Sequence, residues 1–175
     1  TAAAQTRSGA GGNYSTAASW TSRVPLPQDD VVIDSGASGT ISGDMPRLGK
    51  TITLTGFTGT YDDTVAQSVY GSLTLASGMT FSSNQTWAFL GRSAYTLTMA
   101  GKSFGAAVTV NAPSGTVTSQ DAFLNTSTFT ISIGTFDAND NAVTATTVTV
   151  SSGATATMGA GTWTVTGTGT VWTGT

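Results

Sequence analysis

Three residue types are missing from this chain, and each absence removes a class of chemistry. There is no cysteine, no histidine and no glutamate among the 175 residues. Without cysteine no disulfide, thiol nucleophile or thiolate zinc site can form, and without histidine there is no imidazole base. Charge is also scarce, at 9% of residues against roughly 25% in an ordinary globular domain. All acidity rests on nine Asp, and all positive charge on Arg7, Arg23, Arg47, Lys50, Arg92 and Lys102. A net charge of -3 with no basic residue after Lys102 argues against nucleic-acid binding, which needs a basic face to neutralise phosphates. No apolar run approaches the ~20 residues of a spanning helix, so membrane insertion is not expected. The opening Thr1-Ala2-Ala3-Ala4-Gln5 lacks the apolar core of a secretory signal, and loss of an initiator Met, maturation or trimming would each account for a start at Thr1, Met loss being the favoured reading.

What remains is a chain of Thr, Val, Ser and Gly. Thr and Val are branched at Cβ, crowd a helix and suit a pleated surface. The 22 Gly are dispersed among them and predict frequent turns. Thr51-Ile52-Thr53-Leu54-Thr55 alternates strictly and predicts a strand with one buried face. Leu73-Thr74-Leu75, Trp87-Ala88-Phe89-Leu90, Tyr95-Thr96-Leu97-Thr98-Met99, Val108-Thr109-Val110, Phe129-Thr130-Ile131-Ser132-Ile133, Val148-Thr149-Val150 and Trp163-Thr164-Val165 continue the series. Gly78, Gly91, Gly101 and Asn111-Ala112-Pro113-Ser114-Gly115 are read as the separators. No stretch longer than a turn or two has helical period. Strands this short, with Gly or Asn at the corners and no paired hairpin dipeptides, favour a stacked β-solenoid, with an antiparallel β-sandwich as the alternative. Residues 1–22, poor in bulky groups, are assigned to an extended N-terminal arm or cap pinned by Tyr14 and Trp20, and residues 23–175 to the solenoid. The closing Thr170-Val171-Trp172-Thr173-Gly174-Thr175 reads as a strand with no polar cap beyond it, which suggests either a truncated protein or an end covered by a partner.

Several phrases of the sequence carry a resemblance. Gly11-Gly12-Asn13-Tyr14-Ser15 with Ala17-Ala18-Ser19-Trp20, then Val24-Pro25 and Asp29-Asp30-Val31-Val32-Ile33-Asp34-Ser35-Gly36, resemble the opening of Gly/Thr-rich right-handed parallel β-helix proteins. That group occurs in bacteriophage virions and in large bacterial surface proteins. Lys102-Ser103-Phe104, the run from Val108 to Val117, Ile133-Gly134-Thr135-Phe136-Asp137 and the closing run from Thr162 to Trp172 look like rungs of the same group. The resemblance implies a right-handed parallel β-helix without enzymatic activity, on the exterior of a virion or, alternatively, on a bacterial cell surface as an adhesin or glycan-binding module. This chain departs from the group in being short, as a fragment of a longer protein or as a small dedicated version, and the latter suits a capsid decoration or fibre protein. The expected partners are capsid or tail subunits and further copies of the chain, a trimer being one arrangement, with Tyr14, Trp20 and Trp172 as contact residues.

Other residues are candidates for chemistry. Asp29-Asp30 with Asp34, and Asp62-Asp63, are the tightest acidic clusters, and paired carboxylates are what glycoside hydrolysis requires. Asp at the start of a strand more commonly binds backbone amides, so no catalytic residue is assigned. A β-helix lyase would need Arg92 or Lys102 beside acids, and none is near in sequence. Asp137-Ala138-Asn139-Asp140-Asn141 imitates a calcium loop but has Ala142 and Val148 where Gly and Glu belong, so it is read as a polar turn, with no metal or cofactor. Tyr61, Tyr70, Trp87, Tyr95, Trp163 and Trp172 form a candidate sugar-stacking row, with rung packing as the preferred reading. Asn13, Asn84 and Asn125 head glycosylation triplets, which arise by chance in a Thr/Ser-rich chain.

Overall fold

A computed structural model describes residues 4–174. Thr1, Ala2 and Ala3 of the expected arm and Thr175 of the closing strand lie outside the described residues. The chain winds in about seven turns of a parallel β-solenoid. The first coil holds β1 (Ala4–Gly9) and β2 (Gly12–Asn13). After a covering segment come β3 (Asp30–Ala37), β4 (Thr40–Gly43) and β5 (Arg47–Gly49), then β6 (Ile52–Thr53), β7 (Thr60–Asp63) and β8 (Gln67–Val69). The next are β9 (Leu73–Thr74), β10 (Thr80–Ser82), β11 (Trp87–Phe89), β12 (Ala94–Thr98) and the long β13 (Val108–Ser119). The series closes with β14 (Phe123–Leu124), β15 (Thr128–Asp137), β16 (Val143–Ala145), β17 (Thr147–Val150), β18 (Thr155–Thr157), β19 (Trp163–Val165) and β20 (Trp172–Gly174).

These strands stack into three faces. The first runs β1, β3, β6, β9, β12, the second halves of β13 and β15, then β18. The second runs β2, β4, β7 and β10, is carried across by Phe104, and resumes as β14, β16 and β19. The third runs β5, β8, β11, the first halves of β13 and β15, then β17 and β20. Every ladder between these strands is parallel, which rules out the antiparallel sandwich. Among the described residues the one antiparallel contact is the isolated bridge between Arg7 and Trp20.

Register explains how so uncharged a chain folds. A coil takes about 20 residues, so Ile41, Tyr61 and Phe81 stand one above another. Gln67, Trp87, Val108, Phe129, Val148 and Trp172 form a second column, and Tyr95, Val117, Phe136 and Ala156 a third. Side chains alternate across a strand, so keeping these columns inward sends Thr40, Thr60 and Thr80, and likewise Thr109, Thr130, Thr149 and Thr173, outward in ladders. No coil buries its apolar face alone; each interior coil is covered by the coil above and below. Aromatic rings thread the middle: Phe81, Trp87, Phe104, Phe123, Phe129, Phe136, Trp163 and Trp172 are linked by successive centroid distances of 4.6 to 6.1 Å.

Two features differ from the sequence-based expectation. Residues 4–13 are not an arm, since β1 and β2 already pair in register with β3 and β4. The run 111–115 is not a break either but a corner within the continuous β13, with Ser114 at φ 61°. The matching corner of β15 uses Gly134 at φ 89°, where a Cβ would run into the carbonyl oxygen of Ala112, so a side chain is excluded on two counts. No helix of the described residues is long and apolar enough to cross a membrane.

Candidate interaction surface

Of the acidic clusters, candidates for catalysis on sequence grounds, Asp29, Asp34 and Asp63 are taken up by hydrogen bonds of the fold, whereas Asp30 keeps a buried Oδ1 without a partner and Asp62 is half-buried on the outward side of β7. Asp63 is 2% exposed and accepts hydrogen bonds from the Asn84 and Gln85 amides at 2.6 and 3.0 Å, from Trp87 Nε1 at 2.7 Å and from Ser83 Oγ at 3.2 Å. It therefore holds the corner of the following coil. Asp121 does the same for the Met99 and Ala100 amides of the preceding coil, Asp44 for Ser15, and Asp140 for Ala160. Asp34 and Asp137 close turns on the Gly36 and Asn139 amides. Asp29 is buried, accepts from the Leu26 amide at 2.8 Å and from Arg23 Nη1 and Nη2 at 2.5 and 2.9 Å. These carboxylates are engaged as acceptors between and within coils. The calcium-like turn is likewise occupied, with Asn139 and Asn141 both donating to the Ser119 carbonyl.

Asp29 carries a pH prediction. The Arg23 hydrogen bonds, helped by the Leu26 amide, hold its carboxyl below the usual range against the opposing effect of burial. A lowered folded-state pKa means stability that is complete above the unfolded value of about 3.9 and is lost as pH falls through the lower folded value. Arg23 is 42% exposed, so solvent screens much of the pair. Melting temperature should fall as pH drops below about 4, and Asp29→Asn should flatten that fall. An unchanged acid limb in the variant would count against this assignment.

The two ends of the solenoid differ in kind. At the N-terminal end, residues 14–27 fold over the first coil. Tyr14 and Trp20 are 0% and 6% exposed, with rings 4.7 Å apart; Trp20 Nε1 donates to the Tyr14 carbonyl and the Tyr14 hydroxyl to the Leu48 carbonyl. Arg7 is fully buried beneath them, donating to the Asn13 and Gly12 carbonyls and lying 5.6 Å from the Trp20 ring centroid. The Thr21 amide reaches the Thr6 carbonyl, so part of the β1 edge is paired. Tyr14 and Trp20 are core residues of this cap, and of the three aromatic residues expected at a partner contact only Trp172 offers surface.

At the C-terminal end no described segment covers the last turn. The strands β18, β19 and β20 each pair on one side only, with β15, β16 and β17. Their inward positions continue the core columns, yet Val150, Ala154, Ala156, Trp163 and Val165 are only partly buried, and Met158 and Trp172 are each 40% exposed. Trp163 Nε1 is buried without an acceptor. Nor does the end carry the devices that protect sheet edges: after Asp140 there is no Asp, Lys, Arg or Pro. This surface is visible in the sequence only as the absence of charge and as Trp172. Val150, Ala156, Met158 and Val165 carry no signal of their own, because an inward apolar residue reads the same whether or not a coil follows.

The candidate sugar-stacking row does not line the surface, and three of its members pack within the coils as preferred. Tyr61, Trp87 and Tyr95 are 3%, 2% and 6% exposed, and their inward positions in the stacked columns explain why. Tyr70 alone reaches a groove, shared with Arg92, Asn111 and Pro113 at one corner. Of the glycosylation triplets, Asn125 is buried, with its side chain tied to Thr128 and Ser127. No family model, curated protein or solved structure matches the chain.

Proposed function

We propose that this chain is a non-enzymatic structural protein acting through rigid coil packing and subunit contacts. The observation that carries the reading is the continuous stack of three parallel faces around one column of aromatic rings, a rigid body held by packing between coils. Seven of the nine carboxylates hold corners and turns as hydrogen-bond acceptors, which is what a packing role asks of them. Placement in a bacteriophage virion, as a decoration or fibre component against capsid or tail subunits, rests on the sequence resemblance at residues 11–36 and 102–172. The test is fractionation of virions from the source culture. The chain should sediment with particles; recovery only as free protein overturns the virion reading. A surface adhesin is the second reading, favoured by the Tyr70, Arg92, Asn111 groove, and would show as glycan binding lost on Tyr70→Ala.

A further inference from the structure

We infer that the corner groove at Tyr70 and Arg92 binds an acidic saccharide, with a sugar ring on Tyr70 and a carboxylate on Arg92. The inference rests on the second reading above and names its ligand. The groove measures about 450 Å³ and is lined by Tyr70, Leu90, Gly91, Arg92, Asn111 and Pro113, a size usual for small-molecule sites. It lies where the third face turns into the first, across the successive coils of β8, β11 and β13. With coils ~4.8 Å apart, Tyr70 and Asn111 stand about 10 Å from each other along the axis, the reach of a short oligosaccharide.

The frame of the groove is set by the ladders. Tyr70 follows β8 and its amide donates to the Gly49 carbonyl at 3.1 Å; Leu90 follows β11 and its amide donates to the Val69 carbonyl at 2.8 Å. Asn111 belongs to the continuous β13 and pairs with Ile133. A Cβ at Gly91 would meet the Tyr95 ring at 2.5 Å and the Tyr70 carbonyl oxygen at 2.8 Å, so the floor is bare backbone held between packed coils. A site built on paired strands has little freedom to lose on binding.

The lining chemistry selects the ligand. Tyr70 and Pro113 are half-buried and supply apolar surface against which the C–H face of a sugar ring can lie. Asn111 is exposed and offers both a donor and an acceptor, the combination that sugar hydroxyls require. Arg92 is exposed, and the one ion pair among the described residues joins Arg23 and Asp29 instead. None of the lining residues is a carboxylate, so the Arg92 guanidinium presents its fork to an acid from outside. A polyanion such as nucleic acid needs a basic stripe, whereas this corner adds only the exposed Lys50, two coils before Arg92. Two other grooves, of about 520 and 400 Å³, lack the combination. The first has no charged residue, and in the second Arg47 stands among Pro, Leu and Met.

Calorimetric titration of the full chain with oligosaccharides of galacturonate, glucuronate and N-acetylneuraminate, each beside its methyl ester, separates the charge from the ring. An acidic member should bind, and its ester about tenfold or more weakly, the loss expected for a charge-assisted contact. Arg92→Ala should abolish the difference between acid and ester, and Tyr70→Ala should weaken both. Lys102→Ala, at the corner between the first and second faces, should change neither. Acid and ester bound equally, with binding lost in Tyr70→Ala, overturns the acidic ligand and leaves the adhesin reading standing. Binding that survives both Tyr70→Ala and Arg92→Ala overturns the groove as the site. Oligothymidylate bound as tightly as the acidic sugars overturns the saccharide. No binding by any member overturns the inference together with the adhesin reading.

Discussion

Replacing Phe104 with alanine is expected to destabilise the protein by about 3–5 kcal/mol, the range for removing a fully buried Phe. Phe104 is 0% exposed and its ring lies 5.5 to 6.2 Å from those of Phe81, Trp87, Phe89 and Phe123. It joins the aromatic column of the early coils to that of the later ones. It also stands where the second face is thinnest, since this coil contributes only a one-residue bridge to Asn125 instead of a strand. The neighbours are held by their own register and are poorly placed to collapse into the gap. In a solenoid each coil is stabilised by its neighbours alone, so a cavity here weakens the coupling between the two halves. Urea denaturation should show a lower midpoint and a broadened transition, with loss of coincidence between tryptophan fluorescence and circular dichroism. A loss below about 1 kcal/mol would mean that the coils relax around the void and that the column is not a single packed unit.

Asp63→Ala should be of similar size, about 3 kcal/mol or more, because it strands several buried donors at once. Two backbone amides, the Trp87 indole and the Ser83 hydroxyl all lose their acceptor, and the indole and hydroxyl are buried. Asp63→Asn separates hydrogen bonding from packing. The amide keeps the shape but turns one acceptor oxygen into a donor facing donors, so it should recover little of the loss. If the asparagine variant melts with the wild type, the carboxylate is not what holds the corner. Similar logic applies to Gln67, a buried amide whose Nε2 reaches the Gly43, Met45 and Val65 carbonyls and whose Oε1 accepts from Tyr61. Both residues sit at inward positions of otherwise apolar strands, and that misplacement in the alternation is the one signal of them in the sequence.

Alternation and composition determined a good deal unaided. A run such as Thr51 to Thr55 has one way to satisfy period two, and a chain with so little charge needs its threonines outside and its Val, Ile and Phe in stacked interior columns. The missing Cys, His and Glu limit the chemistry whatever the fold. Asp at strand starts and turns foretold amide acceptors, which Asp29, Asp34 and Asp137 are. Tertiary structure alone decided the rest. Gln5 and Arg7 are polar, so β1 does not read as a strand, yet both are buried because the segment 14–27 closes over them. The partners of Asp63, Asp121 and Asp140 lie about one coil away, a distance set by loop lengths and stacking register that local periodicity does not encode. Trp87 and Trp172 have the same inward register in one column, but one has coils on both sides and the other on one. Burial there depends on what stacks next, a contact between coils, and no pattern within a strand specifies it.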